Sequence, residues 1–226
     1  SSELVVDTTP PAIAITAITN DSGTAGDFIT NDQTLIFSGT AEAGLTVTVT
    51  LKDAGNAVVF TTSVVATGGN WSVDRTAAAA LANGTYTLTA STTDLASNTT
   101  TASQAITIDT NAPGQNGDGT APAITAITND SGTAGDFITN DQTLIFNGTA
   151  GAGDVVTVKL DGVTLGTATA NGAGVWSYDY TGTTIANGTY TLAASTTDIA
   201  GNTATASQAI TIDTNAPGQN GDGTAP

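Results

Sequence analysis

The sequence predicts an all-β protein made of two tandem antiparallel β-sandwich domains joined by an acidic linker. Residues 17–37 recur unchanged as residues 126–146, and the fourteen residues DTNAPGQNGDGTAP begin at both Asp109 and Asp213. A repeat of about a hundred residues is long enough to bury one hydrophobic core per copy. Segments of alternating apolar and polar residues recur in both copies, and no segment has helical periodicity, so each copy is expected to be a sandwich of short strands.

The clearest strand is the segment LTVTVTL at 45–51. Its apolar residues Leu45, Val47, Val49 and Leu51 fall on one face, and threonines fall on the other. This alternation predicts a strand with one buried face. Similar segments rich in β-branched residues are separated by turn-forming clusters such as ATGGN and LANG. In the first repeat we expect strands near 12–19, 33–39, 45–52 and 85–92, two more across 57–75, and a last one near 102–109.

Successive antiparallel strands would give each repeat two poles. The N-terminal pole would hold the start of the repeat, the turn 42–45 and the loop 94–98, whose copy in the second repeat is 198–202. We name these two loops the Asp–Asn loops. The C-terminal pole would hold the end of the last strand and the loops 20–32 and 129–141, which we name the acidic loops.

Four aromatic residues have predicted places. Tyr86 and Tyr190 follow LANGT and IANGT, where a tyrosine corner would tie a strand to the preceding turn. Trp71 and Trp176 are expected to anchor the cores, because aromatic residues make up only 5% of the chain. A surface role for each tryptophan in ligand binding is the alternative.

Composition excludes several classes of function. The chain has no cysteine, histidine or methionine, which excludes cysteine nucleophiles, histidine bases and the usual zinc sites. Three basic residues stand against twenty acidic ones, for a net charge of −17, so no nucleic acid partner is expected. No apolar run is long enough for membrane insertion. An enzyme is the least favoured class, because the acids lie in loops beside glycine instead of in a rigid cleft.

The carboxylates are concentrated in the loops at the predicted poles. Two carboxylates about 4 Å apart repel by about 4 kcal/mol at an effective dielectric near 20, and Asp, Asn and backbone oxygens are the ligands that calcium prefers. The alternative is that these residues serve only as turn formers and solubilising charges. The candidate ligands are Asp21, Asp27, Asp32, Asp130, Asp136 and Asp141 in the acidic loops, Asp94, Asn98, Asp198 and Asn202 in the Asp–Asn loops, and Asp109, Asn111 and Asp118 around the linker, with Asp222 in the next copy of that segment.

The ordered set DTTPP, GDFITNDQTLIFSGTAEAGLTVTV, GNWSV, LANGTYTLTASTTDLASNTT and ITIDT resembles the bacterial immunoglobulin-like repeats of large secreted RTX-type and biofilm-associated adhesins. The resemblance implies tandem immunoglobulin-like sandwiches, export to the bacterial cell surface and calcium at the domain junctions. It implies as junction ligands the closing Asp7, Asp109 and Asp213, together with Glu42 and with Asp94 or Asp198. The second repeat has Gly151 in place of Glu42, with Asp154 as a substitute ligand, and Asp118 is a replacement ligand in its longer linker.

The expected domains are immunoglobulin-like repeats at 1–109, with the tail of a preceding linker at 1–11, and at 123–213. Residues 110–122 would form the linker, and 214–226 would begin the next one. We expect noncatalytic extender repeats, rigidified by calcium and by adjacent repeats, that project a distal binding region able to bind a host or surface ligand. The alternatives are a carbohydrate- or host-protein-binding module that uses Trp71, Trp176, Tyr178 and Tyr180, and an ice-binding surface made of the threonine rows at 46–50 and 87–89.

Overall fold

The computed structural model describes residues 6–216. Within that range the chain forms sixteen strands and no helix. It divides into two compact units, of which the first ends at Thr110 and also includes Ile199–Gly201, and the second takes the other residues from Asn111 on. Most of the expected linker at 214–226, including Asp222, lies outside the described residues. So does the beginning of the expected linker tail at 1–11.

The first unit is a sandwich of two sheets. One sheet has the order β1-β3-β6 and the other has the order β2-β8-β7-β4-β5. Every neighbouring pair is antiparallel except β2 and β8, which are parallel. The strands are β1 (Ile13–Ile18), β2 (Ile29–Thr30), β3 (Ile36–Ala41), β4 (Thr46–Lys52), β5 (Val58–Val65), β6 (Asn70–Asp74), β7 (Gly84–Thr93) and β8 (Thr99–Ile108).

The second unit repeats this topology strand for strand. Its sheets have the orders β14-β11-β9 and β10-β16-β15-β12-β13, with β10 parallel to β16. The strands are β9 (Ala123–Ile127), β10 (Ile138–Thr139), β11 (Ile145–Thr149), β12 (Val155–Leu160), β13 (Val163–Thr169), β14 (Val175–Asp179), β15 (Gly188–Thr197) and β16 (Thr203–Ile212). The hairpin β12–β13 turns at Asp161 and Gly162, which is where the second copy is shorter in sequence.

The predicted two-sandwich fold is confirmed, with one addition. The short strands β2 and β10 were not predicted, and each pairs in parallel with the last strand of its unit. Two residues cannot show a two-residue alternation, so the sequence pattern held no signal for them. The pairing brings each acidic loop against the end of the last strand, and Asp109 N–H donates to the Thr30 carbonyl at 2.9 Å.

Each core is built from the inward faces of both sheets. Phe37 and Phe146 are completely buried, and the tryptophans lie at the edge of the cores with 3% and 1% of their surfaces exposed. The Trp71 indole N–H contacts the carbonyl oxygens of Ala14 and Thr40 at 3.2 Å each. Both tryptophans are therefore core anchors, as predicted.

Both tyrosine corners are present. The hydroxyl of Tyr86 donates to the Ala82 carbonyl at 2.9 Å, and that of Tyr190 donates to the Ala186 carbonyl at 3.0 Å. Each bond fixes the turn that precedes the long penultimate strand of its unit. The Asp–Asn loop follows at the far end of that strand.

Candidate metal centres at the poles

The N-terminal pole of the first unit brings Asp7 and the Asp–Asn loop together. Asn98 donates its backbone N–H to one Asp94 carboxylate oxygen and its side-chain amide to the other, both at 2.9 Å. The same amide contacts the Asp7 carbonyl oxygen at 3.1 Å. The side-chain bond from Asn98, helped by backbone N–H groups of the loop, lowers the pKa of Asp94 below its usual value of 3.8 although desolvation opposes the shift. Asp94 is therefore held ionised beside the Asp7 carbonyl.

At the N-terminal pole of the second unit, the Asp–Asn loop has the same internal hydrogen bonds, but a different acidic residue lies beside it. The Asp198 carboxylate accepts the Asn202 N–H at 2.8 Å and the Asn202 amide at 3.0 Å. An oxygen of Asp118 lies within 4.8 Å of an oxygen of Asp198, and both side chains are partly buried. Asp118 thus approaches this Asp–Asn loop with its carboxylate, whereas Asp7 contacts the first loop through its backbone carbonyl.

The linker before Asp118 is folded into a compact turn. Gly114 N–H donates to the Asp118 carbonyl at 2.5 Å, and Asp118 N–H donates to the Gln115 carbonyl at 2.8 Å. Gly114 has φ +88°, and a Cβ there would lie 2.6 Å from that of Ala121, so only glycine fits. Asn111 accepts the Asn116 amide at 2.9 Å, which closes the turn from the other side. The turn fixes the position of Asp118.

The turn after β3 and its copy after β11 lie at the same pole. Glu42 is exposed there, and its carbonyl oxygen accepts the Leu45 N–H at 3.2 Å. Asp154 occupies the corresponding turn of the second unit, where one of its carboxylate oxygens accepts the Gly151 N–H at 3.0 Å. Part of the hydrogen-bonding capacity of Asp154 is thus used to close its own turn.

Two acids of the acidic loops have their carboxylates committed to the loop itself. Asp32 accepts the Asn20 amide at 2.8 Å, the Thr34 N–H at 2.8 Å and the Thr34 hydroxyl at 2.9 Å. Burial raises the pKa of Asp32, but the bonds from Thr34 and Asn20 outweigh it and leave the pKa below 3.8. Asp141 has the same arrangement with Asn129 and Thr143, and its pKa is lowered chiefly by the Thr143 N–H.

The other acids of these loops keep oxygens that the loop does not use. Asp21 accepts the Gly26 N–H through one oxygen at 2.7 Å, and Asp27 accepts the Ile29 N–H through one oxygen at 2.9 Å. The second oxygen of each is buried without a hydrogen bond, as is one oxygen of Asp130. Asp136 is exposed and accepts the Ile138 N–H at 2.9 Å. Within residues 6–216, however, no three carboxylates of either acidic loop converge on one point.

The C-terminal poles hold the closing aspartates. Asp109 contacts the Asn83 amide at 3.4 Å, and the side-chain oxygen of Asn83 accepts both the N–H and the hydroxyl of Thr110. Asp213 N–H donates to the Thr139 carbonyl at 2.8 Å, and one Asp213 carboxylate oxygen accepts the Asn215 N–H at 2.9 Å. Sequence reasoning did not assign Asn83 this orienting role, although the recurrence of NGT in both repeats was the available signal.

The residues proposed for other ligands are used within the fold. Tyr178 donates its hydroxyl to the Leu165 carbonyl at 2.8 Å, and Tyr180 stacks on Phe146 at a ring separation of 6.0 Å. Both tryptophans are buried, and Tyr178 and Tyr180 are only partly exposed. In the threonine rows, Thr48 and Thr50 bond through their hydroxyls to residues of β5 at 3.1 Å, which is ordinary cross-strand pairing.

A family model described as Bacterial Ig-like domain matches residues 7–110 and 119–214. No curated protein matches the chain. Within residues 6–216 no helix is long and apolar enough to cross a membrane.

Several solved structures are similar to the chain. A tetra-tandem repeat from the extending region of a large adhesion protein is 22% identical, with a TM-score of 0.33 over 90% of this chain and 50% of that one. A bacterial ice-binding adhesin is 25% identical, with a TM-score of 0.44 over 91% and 65%. A Ca²⁺-stabilized, ice-binding adhesin of an Antarctic bacterium is 28% identical, with a TM-score of 0.44 over 91% and 50%. The chain thus spans between half and about two thirds of the length of these structures.

Proposed function

Because the chain belongs to the bacterial Ig-like domain family, we propose that its two repeats are noncatalytic extender units of a bacterial cell-surface adhesin or biofilm protein. Calcium at the N-terminal pole of each repeat would make the array stiff. The repeats themselves would bind no host ligand and would hold a distal binding region away from the cell. One observation carries this proposal, namely the approach of Asp118 and Asp198 to within 4.8 Å.

That approach is unfavourable without a counterion. Two unit charges 4.8 Å apart repel by about 3.5 kcal/mol at an effective dielectric of 20 and by about 0.9 kcal/mol in bulk water. Of the three basic residues, Lys52 ends β4 and Lys159 lies in β12, while Arg75 donates to the carbonyl oxygens of Gln33 and Ala79 in the first unit. A bound divalent cation would replace the repulsion with two attractions.

The chemistry of the pole suits calcium in particular. Carboxylate, amide and backbone oxygens are hard ligands, and calcium accepts six to eight of them in loose geometry. In the first repeat, Asp7, Asp94 and Asn98 supply this set, with Glu42 on the adjacent turn. In the second repeat, Asp118, Asp198 and Asn202 supply it, and we propose that Asp109 adds a carboxylate from the other end of the linker.

The expected consequence is that the array of repeats is stiffer outside the cell than in the cytosol. Extracellular calcium modules have dissociation constants of about 10⁻⁴ to 10⁻³ M, so millimolar external calcium fills them and cytosolic calcium does not. An ion that holds the linker and the Asp–Asn loop together restricts the motion of one repeat against the next. The chain would stay pliable before export and become rigid at the cell surface.

A calcium titration with two readouts tests the proposal. Calorimetry should show a melting temperature that rises with calcium, and small-angle scattering should show a narrower distribution of chain dimensions. Magnesium at equal concentration serves as the control, because it prefers octahedral geometry and keeps much of its water. Melting and scattering that are the same in calcium and in chelator would contradict the proposal.

A further inference from the structure

The five-stranded sheet of the first unit ends at β5, which among the described residues pairs with β4 alone. Edge strands are commonly protected from further pairing by charged residues or proline, but β5 contains no charged residue, no proline and no glycine. Val58, Val59 and Val65 keep 56%, 41% and 53% of their surfaces exposed. A chain of net charge −17 thus presents an uncharged, valine-rich strand along this edge.

The pairing of β5 with β4 shows which of its backbone groups face outward. The Ala66 N–H, directly after β5, donates to the Leu45 carbonyl at 2.9 Å. Bonded pairs alternate along an antiparallel ladder, so the peptide groups of Thr61, Ser63 and Val65 point away from β4. The single register shift of this hairpin lies near its turn, and the rest of the edge is regular. The edge can therefore bond a further strand.

The residues of β5 are complementary to a second copy of the same strand. In a symmetric antiparallel pair, residues with outward peptide groups must oppose each other, because opposed side chains share a face of the sheet. A two-fold axis at Thr62 meets this condition. Thr61 then opposes Ser63 of the second copy, and Val59 opposes Val65 of the second copy. The register places hydroxyl against hydroxyl and valine against valine.

The same axis matches both faces of the sheet. On the inner face, Phe60 opposes Val64 of the second copy, and both residues pack against the core. On the outer face, two rows of hydroxyl residues cross the sheet and end at β5; they are Thr61, Thr50, Thr89 and Ser103, and Ser63, Thr48, Ser91 and Thr101. In the pair of chains, each row continues into the other row of the second copy.

We propose that two copies of the chain associate side by side, with their β5 strands antiparallel about a two-fold axis at Thr62. A basic partner would find no charge to pair with along β5, whereas two chains of net charge −17 can approach closely only where neither carries charge. The contact is the same surface on both copies, so it closes as a dimer. One strand pair buries less than a standard interface, so the dimer is weak and needs high local concentration.

The equivalent edge of the second unit is not suited to this pairing. The register shift of β13 lies inside the strand, where Leu165 has no partner in the ladder between Thr164 and Gly166. A bulge and an adjacent glycine interrupt the regular spacing of the outward peptide groups. Thr167 holds in β13 the position that Ser63 holds in β5, and both are exposed. The second unit thus supplies a matched control position.

Disulfide trapping tests the register, because the chain has no cysteine of its own. Residue 61 and residue 63 of the second copy would form a bonded pair with Cα atoms about 5.5 Å apart, which suits a disulfide. Two equal residues would be diagonal neighbours about 7 to 8 Å apart, which does not. Thr61→Cys is therefore mixed with Ser63→Cys under mild oxidation in chelator, and the linked dimers are identified by mass.

The control mixes Thr61→Cys with Thr101→Cys, which is exposed on the same face of the sheet but lies in β8. Burial of one valine side chain shifts an equilibrium constant by about tenfold or more. The 61–63 heterodimer should therefore form at least about tenfold faster than the control heterodimer. It should also form faster than either dimer of equal cysteines.

Sedimentation velocity of the concentrated chain tests the association without a crosslink. Ser63→Lys and Thr167→Lys both change the net charge from −17 to −16, which by itself would favour association. Thr167→Lys should dimerise like the wild type. Ser63→Lys places a charge in the centre of the strand pair and should dimerise at least about tenfold more weakly, with an unchanged melting temperature.

Three results would overturn the proposal. These are a 61–63 heterodimer that forms at the control rate, faster linkage of two equal cysteines, and a Ser63→Lys chain that dimerises like Thr167→Lys. The trapping result does not depend on the folding of the lysine variant. Because both measurements are made in chelator and the contact uses no residue of either pole, their outcome is independent of the calcium sites proposed above.

Discussion

Replacing Asp118 with asparagine should change the stability of the second repeat in opposite directions with and without calcium. The oxygens of Asp118 and Asp198 approach within 4.8 Å, and removal of one charge relieves a repulsion of about 0.9 to 3.5 kcal/mol, depending on how far solvent screens the pair. Both side chains are partly buried, so the true value lies between those limits. In chelator, Asp118→Asn should therefore be the more stable protein.

Saturating calcium should reverse this order. At about a hundredfold excess over the dissociation constant, a bound ion stabilises the wild-type repeat by about 2.7 kcal/mol. The asparagine variant has lost a charged ligand and gains less. Because about 1 kcal/mol moves the melting temperature of a domain of this size by roughly 4 to 8 °C, both differences can be measured by calorimetry.

The control for this experiment is Asp179→Asn in the same repeat. The Asp179 oxygen that accepts the Thr181 N–H and hydroxyl, at 2.9 and 2.7 Å, can be replaced by the asparagine carbonyl, and the residue is not a candidate ligand. This variant should show one stability change that is the same in both buffers. If Asp118→Asn also kept one sign in calcium and in chelator, the proposed role of the Asp118–Asp198 pair would be refuted.

Three further predictions concern the fold. Gly148→Ala places a Cβ 2.0 Å from a carbonyl oxygen of β9 and 2.3 Å from the buried Trp176 indole, so it should lower the free energy of unfolding, measured in urea, by about 2 to 4 kcal/mol. In the control Gly172→Ala, the new Cβ has open space around it, and the free energy of unfolding should change by no more than about 0.5 kcal/mol. Tyr86→Phe removes one tyrosine-corner bond and should lower the free energy of unfolding by about 0.5 to 1.5 kcal/mol in the same assay. The folded-state pKa values of Asp32 and Asp141 are lowered, so the stability that these two carboxylates contribute is complete above about pH 3.8 and is lost as pH falls through their folded-state pKa values. Urea unfolding measured from pH 6 to pH 2.5 should show this loss of stability, and the loss should be smaller in Asp32→Asn.

The regular part of the fold could be predicted because its signal is local. The alternation at 45–51 indicates which face of β4 is buried, and the recurrence of NGTYT locates both tyrosine corners. The two-residue strands escaped prediction because their pairing is set by a turn in which Phe28 adopts φ +61°, a value that no propensity of phenylalanine suggests. The conformation of these residues is therefore determined by their pairing with the last strand and not by local propensity.

The arrangement of the poles was less accessible from the sequence. The glycine-rich linker has the composition of a flexible segment, yet the bonds between Gly114 and Asp118 fold it into a turn. Comparison of sequence letters aligns Asp7 with Asp109, because both precede a threonine, whereas Asp118 is the residue that takes the place of Asp7 beside an Asp–Asn loop. The sequence indicated Asp118 as a replacement ligand, and the turn shows how the residue reaches the loop, because the turn determines where the chain enters the second repeat.

The two copies differ at the rim of the core and are identical in their acidic loops. At the rim of the core, Arg75 of the first unit corresponds to Tyr180 of the second. Arg75 lies over the Phe60 ring, whereas Tyr180 stacks on Phe146, so the two units fill this position with different contacts. The acidic loops inside 17–37 and 126–146, by contrast, are identical letter for letter. Loops ordinarily tolerate more change than cores, because few contacts depend on them. The acidic loops at the C-terminal poles are therefore identical where the rim differs, whereas the Asp–Asn loops DLASN and DIAGN at the N-terminal poles differ between the copies.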